Sequence, residues 1–524
     1  METLYRKTEK PVLVLELIFK LLFITYGFLQ ASSITFGNKI ISVVLWPTIA
    51  LGGLLILYRF LFFKKYKDST GIYILIFFAV SYAISSIFMM QYGVSENFRY
   101  FVFLVLQFGM LYAYKNGDCV EKVKKHFQIC MQYVCWVAAV LALTSFVLMF
   151  SGYNKAFVSL DNPEAPPYYI GFAYGRLYGA YWDPNIGALT AVVVILLSVY
   201  FIIKHKHWVL KTLYALNLTL QVCYVAFSDS RTGRVALLTS VFCLSVFLLL
   251  KKVNIKKLAL KVVCIITASL VIAVAAYELP VGIQSGYNLT VQSMMKDDGN
   301  ADSSNKQNSL VIERGGELES DPSNRRFDIW KSAVDIFKSS PIYGVSRGNL
   351  LKYVEAELPT SYLITNDHIH FSSMHNVFFE ILASQGILGI VPFLAFALLI
   401  VIHLFRNRKL LFESEEFSAF AAILACMVAV CTASMFIIEI VYVVSPASSV
   451  FCAHGAGYIV DWYDVYDMMH VKEDPGFALA GMEDVLRNIT SEPTEADEDN
   501  RKRMARERQD AGVPVYDEKE LEDI

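Results

Sequence analysis

Apolar runs of about 20 residues recur along most of this 524-residue chain. A run of that length, coiled as a helix, spans the hydrocarbon core of a bilayer. Apolar residues make up 55% of the chain and charged residues only 18%, a balance that a soluble helical protein would not sustain. The expected fold is therefore an all-α polytopic membrane protein with about twelve transmembrane helices and one long, partly helical outer loop. Nine spans are expected within residues 1–279, at about 11–30, 40–58, 70–90, 98–114, 127–151, 184–203, 208–227, 233–250 and 258–279. A polar loop fills 280–386. Three more spans follow within 387–461, at about 387–405, 417–436 and 441–460, and residues 462–524 form a polar, acidic tail.

The sign of charge sets the expected orientation. Alternate connections carry Lys64, Lys65 and Lys67; Lys122, Lys124 and Lys125; Lys204 and Lys206; Lys251, Lys252, Lys256 and Lys257; and Arg406, Arg408 and Lys409. Basic loops stay cytoplasmic, so both termini are expected inside and the long loop outside. Arg6, Lys7 and Lys10 before the first run imitate a signal peptide. The first run reads as an uncleaved span because no convincing small-residue cleavage site follows. The net charge of −2 gives no hint of nucleic acid. All nine cysteines fall in or beside apolar runs, which excludes a disulfide-stapled outer domain. Glu16 and Lys20, one helical turn apart, are expected to pair with each other. Glu439 reads as a turn residue between the last two spans, and the tail with its basic island Arg501 to Arg508 as a disordered cytoplasmic extension or a short surface helix.

Three motifs fall on the expected outer side. The first is Gly175-Arg176-Leu177-Tyr178-Gly179-Ala180-Tyr181-Trp182-Asp183-Pro184-Asn185. Asp183 followed by Pro184 reads as a helix start, the carboxylate capping free amides. Arg176 has no acidic neighbour in sequence and is available to an anion. The second is Ser228-Asp229-Ser230-Arg231-Thr232-Gly233-Arg234, which puts Arg231 and Arg234 one turn apart at a helix N-terminus, where free amides and guanidinium groups make an anion site. The third is the long loop. Its first half, 295–322, reads as mobile. After it Phe327, Trp330, Val334 and Phe337 recur at helical spacing, so an amphipathic helix with those residues on its buried face is expected, ended by Pro341 and Gly344. Arg325 and Arg326 open that helix. His368, His370 and His375 follow. Ser372 or Ser373 is the expected cap of a half-helix begun by His375-Asn376 and broken at Gly386 and Gly389. The histidine spacing matches no zinc pattern. Proton transfer by a neutral imidazole is the better use, with no metal and no cofactor.

In their order along the chain, these motifs resemble the O-antigen ligase and polymerase family of polytopic glycosyltransferases, the Wzy/WaaL type, over residues 130–460. The resemblance is carried by Arg176, Gly179 and Asp183-Pro184-Asn185; by Ser228, Ser230 and Arg231; by Arg326, Trp330 and Pro341-Ile342-Tyr343-Gly344; and by His375-Asn376, Gly386 and Gly389. It implies a GT-C-like, metal-independent enzyme in the cytoplasmic membrane of a bacterium. Such an enzyme moves or polymerises glycan from an undecaprenyl diphosphate carrier onto a glycan, lipid or wall-polymer acceptor. It also implies that Arg231 and Arg326 bind the diphosphate and His375 is the base. Arg176, Arg234, Arg325, Trp330 and Asn376 are the further substrate-binding candidates. The long Asn/Ser/Asp insertion at 296–322 and the acidic tail depart from the family pattern. The alternative is a polysaccharide or lipid transporter or flippase. That class places charges in mid-span and shows repeated halves, whereas here the charges gather at the outer face and no repeat is clear. Between polymerase and ligase the reading leans to polymerase, because nothing marks a specific large acceptor.

Overall fold

The structure is a computed structural model that describes residues 2–35, 39–67, 69–113, 120–157, 167–297, 310–313, 325–366 and 370–447. Fifteen helices are found among them. These are α1 (Glu2–Ala31), α2 (Ile40–Leu61), α3 (Ile72–Phe88), α4 (Ser95–Leu106), α5 (Val120–Phe150), α6 (Pro184–Lys204), α7 (Trp208–Ser228), α8 (Arg231–Lys252), α9 (Leu258–Asp297), α10 (Arg326–Ser339), α11 (Leu350–Glu357), α12 (Tyr362–Thr365), α13 (Val377–Arg406), α14 (Arg408–Glu413) and α15 (Phe417–Ala433).

Among the described residues, eight helices are long and apolar enough to cross a membrane: most of α1, α5 and α9, and the whole of α2, α6, α7, α8 and α13. The shorter α3 and α15 are equally apolar, and a π-turn, Gln107–Tyr112, prolongs α4. The chain is a multi-pass membrane protein. Helix α6 is its axis, with 83% of its most apolar stretch buried, against 17% for α9 and α13, whose flanks are left for lipid. In the expected twelfth span, residues 441–447 are turns rather than helix, and 448–460 lie outside the described residues. So do most of the 296–322 insertion, His368, and the whole tail.

Several local expectations are corrected. Residues 280–297 are not loop: α9 runs through Pro280 to Asp297. Prolines inside membrane helices are tolerated where neighbouring groups re-satisfy the backbone. The carboxylate of Glu16 is held by Arg59 of α2, at 2.7 and 3.1 Å, and not by Lys20. The guanidinium fork matches a carboxylate where an ammonium does not, and Arg59 also donates to the carbonyls of Gly109 and Ala113. The segment before α6 folds as an antiparallel sheet of β1 (Lys155–Phe157), β2 (Tyr168–Ala173) and β3 (Arg176–Gly179). Tyr174 and Gly175, both at positive φ, form the two-residue turn between β2 and β3. The buried face of α10 is Ile329, Ser332, Ala333 and Ile336, while Phe327 is exposed.

Helix α13 is broken at Gly386, whose φ of 58° and ψ of −147° are open essentially only to glycine. A break leaves carbonyls and amides unpaired, and here Ala383, Ser384, Gln385 and Gly386 are buried, so each would cost several kcal/mol. The turn after α10 fills the gap. Val345 N–H donates to Ala383 O at 2.9 Å and Ser346 N–H to Ser384 O at 2.8 Å. In return Ile387 N–H donates to Pro341 O at 2.9 Å and Leu388 N–H to Ile342 O at 3.0 Å. Two chain segments forty residues apart thus share one set of helix hydrogen bonds. The fit needs a second glycine. A Cβ on Gly344, at φ +66°, would lie 2.4 Å from Gln385 N.

Gly344→Ala and Gly386→Ala should each destabilise the purified protein by at least about 2 kcal/mol, combining strain at positive φ with a backbone clash. Gly53→Ala and Gly282→Ala, whose added Cβ meets nothing within 4 Å, should melt at or above the wild-type temperature in detergent.

Candidate functional site

Three helix N-termini are brought to one end of the bundle, and each carries an expected residue. Arg231 is the first residue of α8 and Arg326 the first of α10; His375 stands two residues before α13. Free N–H groups and the positive ends of helix dipoles meet there. The caps are partly those the sequence predicts. Asp183 accepts from Asn185 N at 2.7 Å and starts α6. Ser230, for which no cap was expected, accepts from Gly233 N at 3.0 Å and starts α8. The cap of α13 is Asn376 rather than Ser372 or Ser373: its Oδ1 accepts from Phe378 N at 2.9 Å and Phe379 N at 3.3 Å.

The three charged side chains differ in freedom. Among the described residues the Arg231 guanidinium makes no hydrogen bond or ion pair. Arg326 is half-buried. It lies 5.5 Å from the Phe436 ring centroid and makes a long 3.5 Å contact to Phe436 O. Burial and the neighbouring positive charge of Arg231 push its pKa below the usual guanidinium range, with Asp183 opposing. Two partly dehydrated cations held against each other are an unfavourable state that a bound anion relieves. His375 is held at φ +51°, a region where histidine is among the better-tolerated residues. Its backbone N–H donates to Ser373 Oγ at 3.1 Å, and its ring meets the edge of Phe371 at 6.2 Å. Burial, then Arg326 and Arg347, lower its pKa to about 4. The imidazole is therefore neutral at physiological pH and able to accept a proton.

The other candidates are engaged in supporting roles. Arg176 donates through Nε to Ser228 O at 2.9 Å and approaches Asn185 Oδ1 at 3.5 Å, tying β3 to the turn before α8. Ser230 Oγ donates to the same Asn185 Oδ1 at 2.8 Å. Arg234 is paired with Asp229 at 3.0 Å. Arg325 is exposed and sits at φ +64° before α10. Trp330 Nε1 donates to Met374 O at 3.1 Å, and its ring stacks on Phe379 at 5.3 Å. Asn376 Nδ2 donates to Met435 O at 3.2 Å. His370 lies 4.0 Å from Glu355. A cleft of about 750 Å³ between the outer face of α10 and residues 358–365 contains none of Arg231, Arg326 and His375.

Two residues of the site carry no motif and are missed by sequence reasoning. Glu380 is fully buried in the first turn of α13, 2.8 Å from Arg347 Nε. The N–H is not aimed along the contact, so this is an ion pair rather than a hydrogen bond. The available signal was Glu380 itself, since an ionisable residue within an apolar span implies a partner.

Residues 215–394 match the family described as Wzy_C, O-antigen ligase. The match contains Arg231, Arg326, Arg347, His375 and Glu380; Arg176 and Asp183 lie before it. A protein of Haemophilus influenzae, described as uncharacterized, is 24% identical over 224 residues, which are 43% of this chain and 50% of that protein. The chain thus spans half the length of that relative.

The geometry predicts anion binding that depends on two arginines. Inorganic pyrophosphate should bind the purified protein, and Arg231→Gln or Arg326→Gln should each weaken it about tenfold or more, the worth of one hydrogen bond to a charged group. Arg325→Gln should change it less than twofold. Equilibrium dialysis at fixed ionic strength checks this; unchanged affinity in both of the first two variants would remove the clamp.

Proposed function

Taking as premise the O-antigen ligase family match that this chain carries over residues 215–394, we propose that it is a metal-independent glycosyltransferase of the bacterial cytoplasmic membrane. It takes glycan from an undecaprenyl diphosphate carrier on the outer face and passes it to a glycan, lipid or wall-polymer acceptor. The observation that supports this most is the convergence of Arg231, Arg326 and His375 from three separate helices, with Arg326 electrostatically coupled to both of the others.

The chemistry follows from the charges. The bond from the sugar's anomeric carbon to the diphosphate oxygen breaks, and its electron pair leaves with the diphosphate. The acceptor oxygen forms the new bond to that carbon and gives its proton to His375. Negative charge grows on the leaving group, where preorganised cations in a poorly hydrated site stabilise it. Arg231 and Arg326 suit this because the guanidinium fork meets phosphate oxygens bidentately. A positioned base contributes typically ~10²–10⁴ in rate. The acceptor class leans to a second carrier-linked glycan, as in a polymerase. The outward orientation rests on the basic residues, which lie at the helix ends opposite the site: Lys204 on α6, Lys252 on α8 and Arg406 on α13. A cysteine replacing Ser303 should be labelled by an impermeant maleimide in intact cells; labelling only after lysis would invert the topology.

Transfer by the reconstituted enzyme tests the mechanism. Arg231→Lys and Arg326→Lys should lose most activity despite keeping charge. His375→Ala should lose transfer while pyrophosphate still binds, and His370→Ala and His368→Ala should be much milder. The base works only when neutral, so activity is lost as pH falls through its pKa. For the free enzyme, read in kcat/KM, that limb should lie near 4. With donor bound, the diphosphate's charge offsets the arginines, so the limb in kcat should lie higher. EDTA should have no effect. Near-normal turnover by His375→Ala, or metal-dependent activity, would refute this reading. Carrier movement across the membrane without glycan transfer would point to the flippase instead.

A further inference from the structure

The four residues ending at His375 are gripped from three sides, and the grip centres on an ion pair outside the proposed chemistry. Arg347, in the turn after α10, donates through Nη1 to Ser372 O at 2.6 Å. Its Nε lies 2.8 Å from Glu380 Oε1. The other Glu380 oxygen accepts from Met374 N at 2.7 Å. Trp330 holds the carbonyl of the same Met374. One face of the Arg347 guanidinium is covered by the Tyr100 ring at 5.7 Å. One carbonyl and one amide just before His375 are therefore tied to the two members of a single buried pair.

Such a pair is a poor source of stability, because desolvating two charges offsets most of their attraction. A well-packed apolar pair would hold the fold as well. What it supplies is direction: each charge fixes one backbone dipole, and together they hold a left-handed histidine that would otherwise relax. Resting on the role proposed above for His375, we propose that Arg347 and Glu380 are positioning residues for the base, fixing the Ser372–His375 backbone so that the imidazole stands beside Arg326 rather than turning away. The charged groups whose fields reach the ring are Arg326 on α10 and Arg347, with Glu380 of α13 held against the latter. Arg347 then has a second effect: its charge helps keep the imidazole neutral.

Three variants of the full-length enzyme separate positioning from plain structural support. Arg347→Lys keeps the charge but not the two-point contact. It should lower kcat about 10–100-fold, the usual scale for a base displaced by about 1 Å, while KM for the carrier-linked donor and the acid limb stay in place. The double variant Arg347→Gln/Glu380→Gln removes both charges together and so avoids leaving one buried and unpaired. It should fold to near wild-type levels, lose kcat by a similar factor, and move the acid limb of kcat/KM to higher pH, because one of the two cations depressing His375 is gone. Wild-type kcat and acid limb in the folded double variant would overturn the proposal, as would a loss confined to the amount of folded protein. If His375→Ala itself remains active, the base reading fails instead, a result distinct from either.

Discussion

The site depends on the hydrogen bonds that the turn 341–346 exchanges with the break in α13. Helices α10 and the first half of α13 both run into this junction, so their N-termini lie together at the far end. Helix α10 has 14 residues, about 20 Å at the usual rise, and over that length a small change of angle at the junction would separate Arg326 from His375. The junction resists such change because it is made of backbone groups on both sides, buried where a lost partner is costly. Ser85 adds a side-chain donor to Ser384 O at 2.8 Å, and Gln385 is fixed between Ser81 and Tyr442. Gly344 and Gly386 are required because the two chains approach more closely than any Cβ allows.

The same junction explains why polar groups are tolerated here. Each element entering the site starts a helix, and three of the four starts are capped by a short side chain, Asp183, Ser230 and Asn376, whereas α10, preceded by Arg325, has no side-chain cap. Capping removes some free amides but not the dipole, so the positive potential persists. Arg231 and Arg326 are added to it, and among the described residues Asp183 is the acid whose field reaches Arg326. The outcome is a site short of negative charge, supported by a fold that cannot relax it away.

What was legible in the sequence is what local chemistry determines. Asp183-Pro184 starts a helix because capping involves residues two or three apart, and Arg231 and Arg234 stand one turn apart at the start of α8. The loop helix and its stop at Pro341 and Gly344 follow from spacing and breakers. Arg231, Arg326 and His375 are brought to one end of the bundle as the motif order implies. What depended on distant partners was not legible. Glu16 chooses Arg59 across 43 positions, and Glu380 chooses Arg347 from the turn before α11. The buried face of α10 is rotated toward Ile329 and Ile336 because the junction, not the helix's own aromatic residues, decides which side meets α13. The small sheet was hidden because one strand, Lys155–Phe157, is exposed and without pattern.

The electrostatics also bear on the kind of base such a site can use. A carboxylate beside Arg231, Arg326 and Arg347 would pair with them, neutralise the clamp and lose basicity as its pKa fell. Among the described residues, Glu380 is a carboxylate that does pair in this network, with Arg347, and it is fully buried. A neutral imidazole takes no share of the arginines' charge, so it leaves them to a phosphate ligand. It also changes at the right moment. In the proposed reaction an arriving diphosphate would offset the arginines' share of the depression at His375, leaving that of burial, and the ring would be more basic with donor present than with the site empty. On the proposed function, placing the imidazole beside Arg326 and Arg347 would couple base strength to occupancy of the anion site, with no moving part beyond the ligand's own charge.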